Sequence, residues 1–505
     1  MTNILQMLEH TAEMYPEKVA AVDPSCHITF SQLLVRAKKI GSFLAKHTSA
    51  GCPVPMYLDK SVTSLCGMLG VIYAGCHYVF IDLRHPESRV QAIEHTLSPS
   101  LVLSDKDNME TAVSFFSAPV YTIETILEKE DIDEPALLRI REQSLDVDPL
   151  YVNFTSGSTG TPKGVTVAHR SVIDFILTFT DLFHITEKDI IGNQAPFDFD
   201  VSVKDIYSCL FTGATLVIIP RPYFSNPTTL MDYICENQIT ILIWAVSAMC
   251  FVSIMNGFQY RNPTSLRTVM FSGEVMPIKQ FNIWKQYQPN VHFVNLYGPT
   301  EITCNCTYYI LEDRLYGLDE KIPIGKPFAN EKVFLLDDEN HLITGPDIEG
   351  ELCVSGTCLA LGYYGDPVRT QESFVQNPLN TKWNELIYRT GDLCCYNSLG
   401  DLVYLSRKDF QVKHLGHRIE LGDIESAADA CEGVLRSCCL YDSKKKKILL
   451  FYAGTTDKDT LVNNLKILLP NFMLPNKLIS VDSMPLTKNG KINRNALKEI
   501  GGITT

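Results

Sequence analysis

Apolar residues recur along this chain in two periods. After Ile28-Thr29-Phe30, with Ser31 as the N-cap, Leu33, Leu34, Ala37, Ile40, Phe43 and Leu44 follow at three- and four-residue intervals. That spacing predicts an amphipathic surface helix ending near residue 46. The stretch 52–106 alternates apolar strands and helices. Its most apolar part, 66–81, is interrupted by His77 and falls short of the ~18–20 residues a membrane-spanning helix needs. It predicts a buried helix running into a buried strand that ends at Asp82.

Further on come four short, near-continuous apolar runs, three of them closed by a proline or by a polar cluster with glycine. They are Leu216-Val217-Ile218-Ile219 before Pro220, the run 239–245, Thr268-Val269-Met270-Phe271 before Ser272-Gly273-Glu274, and His292-Phe293-Val294 before NLYGPTE (295–301). Runs without polar interruption fit strands buried on both faces, as in parallel sheets with helices between. Ligands of such sheets sit beyond the carboxyl ends of the strands, so chemistry is expected in those terminal clusters. From about residue 333 the pattern turns to short strands with turns, a β-rich subdomain. From about 410 it becomes a shorter α+β pattern, in which the lysine run 444–447 predicts a solvated hairpin turn. There is no internal repeat.

Composition narrows the classes. The chain has 505 residues, 45% hydrophobic and 20% charged, enough for at least two domains with full cores. The net charge of −14 argues against a broad nucleic-acid or anionic-membrane surface, though not against a small anion held locally. The 16 cysteines include no CxxC, and Cys304 and Cys306 lack the partner spacing of a metal site. Reduced, buried thiols in a cytoplasmic protein are expected. The N-terminus shows no basic and apolar leader pattern.

The strongest local signal is YVNFTSGSTGTPKG (151–164), an apolar strand running into hydroxyls, glycines and one lysine. Glycines let the backbone approach an anion, while hydroxyls, N–H groups and the lysine donate to phosphate oxygens. The spacing is not that of a Walker A loop. This segment is one of a series that resembles the adenylate-forming superfamily in order along nearly the whole chain. The others are ITFSQL (28–33), Ala74-Gly75 through Ile81-Asp82, FDVS (199–202), NLYGPTE, GEL (350–352), YRTGDL (388–393), RKDFQVK (407–413), GHRIEL (416–421), LPNFMLP (469–475) and NGKINR (489–494).

Within that superfamily the chain is similar to amino-acid adenylation domains of nonribosomal peptide synthetases and to the D-alanine–D-alanyl carrier protein ligase branch. The resemblance implies a set of roles. Asp200 pairs with the substrate ammonium, and a lysine with its carboxylate. Thr155, Ser156, Gly157, Ser158, Thr159, Gly160 and Lys163 cradle the ATP phosphates. Tyr297 stacks on the adenine, with the backbone of Gly273, Glu274 and Val275 beside it, and Asn295 and Gly298 belong to the same nucleotide site. Thr300 donates to the α-phosphate, Glu301 holds Mg²⁺, and Asp392 and Arg407 meet the ribose. Lys491 bridges carboxylate and phosphate as charge develops. Asp409 is the hinge. The substrate side chain is expected among Val201, Lys204, Ile243, Met270, Ser272, Leu296, Cys304 and Asn305. The D-alanine branch usually has cysteine at Ser272 and an apolar residue at Lys204, and both departures tell against D-alanine itself. Lys204 among mostly apolar or neutral neighbours needs a counter-charge or strong hydrogen bonds. One supply is a substrate carboxylate, which favours an acidic or polar amino acid; the alternative is an ion pair with a protein acid such as Asp205, or an outward-pointing lysine.

The expected fold is α/β: a large N-terminal domain (1–405) with two mostly parallel sheets flanked by helices plus the β-rich subdomain, a hinge (406–409), and a small mobile α+β domain (410–505). The implied reaction is amino acid plus ATP to aminoacyl-AMP and pyrophosphate, followed by transfer to the phosphopantetheine thiol of a separate carrier protein. An acyl-CoA ligase for a non-amino acid, and a non-catalytic scaffold of the same fold, are the alternatives. Asp200 speaks against the first; Lys491, Glu301 and Asp392 speak against the second.

Overall fold

A computed structural model describes residues 1–155, 162–408, 411–486 and 492–503. The chain forms two compact units. The first comprises Met1–Asp82, Leu97–Asn153 and Val165–Lys408; the second comprises Leu83–Thr96, Phe154–Gly164 and Asp409–Thr505.

The predicted first helix is Phe30–His47, and its cap is Thr29 rather than Ser31. Thr29 Oγ1 accepts from the Gln32 N–H at 3.3 Å, and Gln32 Oε1 accepts from the Thr29 N–H at 3.1 Å. This reciprocal capping box satisfies two orphan donors, leaving Ser31 inside the first turn. The helix is also less of a surface helix than its pattern suggests, because it meets the helix Val62–Tyr73 closely. A Cβ on Gly70 would fall 2.4 Å from Ile40 Cγ2, and one on Gly41 would fall 2.5 Å from Tyr73 Cβ. The apolar stretch beyond is the expected helix followed by a buried strand, His77–Phe80.

Two sheets carry the first unit. The nine-stranded sheet has a parallel core in the order His292–Tyr297, Thr268–Ser272, Ile241–Ala245, Ile190–Asn193, Thr215–Ile218, Val19–Val22. Antiparallel strands close both edges. The apolar runs read as doubly buried strands are so: Ile243, Met270, Val294 and Leu296 enter one core, while Leu242, Trp244, Val269, Phe271 and Phe293 enter the other. The seven-stranded sheet is mostly parallel, around Pro53–Tyr57 and His77–Phe80. The β-rich part is antiparallel, built on Glu331–Leu336, Gly350–Gly356 and Leu386–Tyr396. Its last strand, Leu402–Arg407, stays with the first unit, which ends at Lys408.

In the second unit, Val434–Asp442 and Lys447–Gly454 form an antiparallel pair, joined by the exposed lysine turn, with Lys477–Ser480 added in parallel. Cys438 and Cys439 face opposite sides of this sheet, in separate apolar clusters. All 16 cysteines are free thiols, most of them buried. Among the described residues no helix is long and apolar enough to cross a membrane.

Candidate functional site

The carboxyl ends of the parallel strands lie along one edge of the nine-stranded sheet. The strand His292–Tyr297 runs through Gly298-Pro299 into a 3-10 turn, Thr300–Ile302. Thr303 and Cys304 then adopt φ of 57° and 74°, two consecutive left-handed residues that reverse the chain. The return passes directly under Gly298, where a Cβ would lie 2.5 Å from Asn305 Cα and 2.8 Å from Cys304 O. Only glycine fits there.

This reversal ties the loop to the helix Val201–Thr212. Cys304 Sγ donates to the Asp200 carbonyl at 3.0 Å, and Lys204 Nζ donates to Asn305 Oδ1. Asp200 is buried at the N-cap position, and its side chain makes no capping bond to the helix. Lys204, one turn on, is fully buried. It neither points outward nor hydrogen-bonds Asp205, whose Oδ2 accepts from Asn193 Nδ2 at 2.6 Å. Burial lowers the Lys204 pKa, against the charges of Cys304, Asp200 and Asp205. Ile243, Met270, Ser272 and Leu296 share one face of the sheet, with Ile243 beside Met270 in register. Val201 opens the helix, half-buried.

Glu301 is completely buried and accepts from the Tyr363 hydroxyl at 2.9 Å. Neighbouring Thr300 starts the same turn. Tyr363 carries no local sequence signal for this role; it arrives from a strand 62 residues away.

A second set forms where the β-rich sheet meets Tyr297. Asp392 and Arg407 are register neighbours on antiparallel strands. Arg407 Nη1 donates to Asp392 Oδ1 at 2.7 Å, and the Tyr297 hydroxyl donates to Asp392 Oδ2. Thr390 braces both: its hydroxyl accepts from the Asp392 N–H at 3.0 Å, and its carbonyl accepts from Arg407 Nη2 at 3.1 Å. Burial and the Asp392 charge push the Tyr297 hydroxyl far above its ordinary range, keeping it a donor. Gly273 has φ of 93° with open space where a Cβ would be, and Glu274 and Val275 follow, Val275 being 59% exposed. Asn295 is buried, and its Nδ2 donates to the Pro323 carbonyl at 2.7 Å. That bond fixes the 323 segment, and no local sequence signal marks it.

Thr155 ends its strand, and Lys163, in the second unit, lies 4.0 Å from Glu420. Ser156, Gly157, Ser158, Thr159, Gly160, Asp409 and Lys491 lie outside the described residues.

The chain matches the AMP-binding enzyme family over residues 8–364. It is 32% identical to tyrocidine synthase 1 of Brevibacillus parabrevis, over 98% of this chain and 45% of that protein. It is 31% identical to zwittermicin A synthase ZmaJ of Bacillus cereus, over 99% of this chain and 95% of that protein. It therefore spans less than half of the first relative and nearly all of the second. Among solved structures, holo-PA1221, a nonribosomal peptide synthetase protein containing adenylation and PCP domains bound to a vinylsulfonamide inhibitor, superposes with a TM-score of 0.83 at 25% identity, over 99% of this chain and 84% of that one. The Vibrio cholerae adenylation domain AlmE, in complex with glycyl-adenosine-5'-phosphate, shares the fold with a TM-score of 0.85 at 21% identity, over 99% and 98%.

Proposed function

Because the chain belongs to the AMP-binding enzyme family, as an adenylate-forming domain of the nonribosomal peptide synthetase type, we propose that it activates an amino acid with ATP and passes it to a carrier-protein thiol. A substrate carboxylate oxygen bonds to the α-phosphorus as the bond to pyrophosphate breaks, giving aminoacyl-AMP. The phosphopantetheine sulfur then bonds to the acyl carbon, and AMP leaves.

The observation that carries this reading is Asp200, a buried carboxylate at the start of the helix that also presents Lys204. A zwitterion needs such an anion for its ammonium; a plain carboxylic acid does not. Asp392, Arg407 and Tyr297 form a preformed acceptor and donor set for the ribose and adenine. A carboxylate has about four acceptor positions, so Asp392 keeps capacity for sugar hydroxyls beyond its two protein partners.

Mg²⁺ is the metal such a reaction uses, and Glu301 is the residue here to hold it. Among the described residues no three His, Cys, Asp or Glu side chains gather into a metal cage. One buried carboxylate fits Mg²⁺ that arrives with the nucleotide, since this ion keeps waters and phosphates and takes one or two carboxylates. When bound it would neutralise phosphate charge. The likeness to PA1221, which contains adenylation and PCP domains, supports the carrier as acceptor.

Amino-acid-dependent exchange of pyrophosphate into ATP tests the reading. Exchange is expected with Mg²⁺ and a subset of amino acids, and Lys491→Ala should lower it by on the order of 10²-fold or more. Equal exchange with the corresponding acids lacking an amine would replace this reading with an acyl-CoA ligase.

A further inference from the structure

The segment that leads into the helix bearing Asp200 and Lys204 is gathered by a lysine hydrogen-bonded to neither. Lys60 lies between the strand Pro53–Tyr57 and the helix Val62–Tyr73. Its ammonium sits where the strand Ile190–Asn193 leaves the sheet. Lys60 Nζ is 2.7 Å from the Gln194 carbonyl, 3.2 Å from that of Asn193 and 3.4 Å from that of Ala195. It also donates to Asn193 Oδ1 at 3.1 Å. With Oδ1 committed to Lys60, the buried Asn193 amide turns its Nδ2 toward Asp205. Asp205 is fully buried, and its Oδ1 has no hydrogen-bond partner.

We propose that Lys60 is a positioning residue for the amino-acid pocket, acting through Asn193 on Asp205 so that Lys204 stays on Asn305 instead of turning to Asp205. The inference rests on the reading of Asp200 as the ammonium partner.

Three observations support it. The carbonyls of Gln194 and Ala195 belong to the segment that leads from the strand to Asp200, so gathering them fixes where that carboxylate starts. Asp205 follows Lys204 directly in the chain, and a half-satisfied buried carboxylate attracts the nearest cation. Burial raises the Asp205 carboxyl to about 7 against the Asn193 hydrogen bond and the charges of Lys204 and Lys60, the two cations that act on it. Removing Lys60 leaves Lys204 as the sole compensating charge, and any turn toward Asp205 withdraws it from the wall that faces substrate. None of the described bonds of this relay reaches Tyr297, Asp392 or Arg407, so the nucleotide should not register the change.

The test is steady-state pyrophosphate exchange with a panel of common L- and D-amino acids, using the best wild-type amino acid. Lys60→Met should raise the amino-acid KM by about 10-fold or more while the ATP KM stays within about twofold, the scale for leaving a buried charge uncompensated. Lys60→Arg should restore the amino-acid KM to within about threefold of wild type. Adding Asp205→Asn to Lys60→Met should cost nothing further, because residues acting as one relay are not additive. Should Lys60→Met fail to fold, Lys60→Gln keeps a donor and takes its place. Equal rises in both KM values, a fall in kcat alone, full additivity, or loss of folding in all three Lys60 variants would each overturn the inference. A wild type that exchanges with no amino acid overturns the proposed function and this inference together. A working wild type with an unchanged Lys60→Met overturns this inference alone.

Discussion

A lysine ammonium taken out of water loses several kcal/mol of hydration unless an anion or a dense set of acceptors replaces it. Lys204 is fully buried, and its hydrogen bond goes to the neutral amide of Asn305. An acidic or polar substrate side chain would complete its coordination, whereas an aliphatic one would leave it under-solvated. The wild-type enzyme is therefore expected to prefer acidic or polar amino acids. Lys204→Met should shift the kcat/KM ratio toward apolar ones by roughly 10²-fold or more, below the roughly 10⁴–10⁵-fold ceiling of a site built wholly around a polar substrate group. A substrate panel run on both proteins checks this. A wild type restricted to small or apolar amino acids, with its ranking kept in the variant, removes Lys204 from side-chain selection.

Elements were legible where periodicity alone decides them. The parallel strands and the buried helix before His77–Phe80 follow from uninterrupted apolar runs, which have few other solutions. The helix start was misplaced because Ser31 and Thr29 are both good caps. Gln32 breaks the tie: it stands three residues after Thr29 and can close the capping box only with it. Bonds such as Tyr363 to Glu301 and Asn295 to Pro323 had no signal, since they join residues brought together only by the fold. The tight approach of the helices Phe30–His47 and Val62–Tyr73 was equally hidden, because an isolated glycine in a helix reads as a weakness. Its purpose is testable. Gly70→Ala gains about 1 kcal/mol of helix propensity, but the new methyl would meet Ile40 at 2.4 Å. Overpacking of that kind costs about 1–3 kcal/mol, so the urea midpoint should fall. A higher midpoint would show that the two helices separate without cost.

At the scale of the whole molecule, acid is the condition to which this fold is exposed through its buried histidines. Burial lowers the pKa of His77 and of His169 to about 4. His77 has no hydrogen-bond partner at either ring nitrogen, and His169 Nδ1 accepts from the Ile4 N–H at 3.3 Å, so both are held neutral. The unfolded chain takes up these protons near pH 6.5 and the native chain only near pH 4. The stabilisation is thus fully present above pH 6.5 and is lost as the pH falls toward 4. Each site contributes about 3 kcal/mol across that window. Urea unfolding at pH 7 and pH 4.5 should show His77→Leu losing less stability on acidification than wild type, by roughly one proton's slope. Identical slopes would mean that native His77 is protonated freely.

The alternation within the strands Ile241–Ala245 and Thr268–Ser272 has an evolutionary consequence. Ile243, Met270 and Ser272 face one way, Trp244 and Phe271 the other. On the proposed reading, point substitutions on the first face rewrite what the amino-acid pocket accepts while the second keeps the sheet bound to its helices. A one-residue insertion or deletion would exchange the two faces, driving tryptophan and phenylalanine into the pocket and emptying the core behind it. Recombination between related genes can therefore trade these strands as cassettes only at constant length, so new specificities should arise here by replacement and not by changes in spacing.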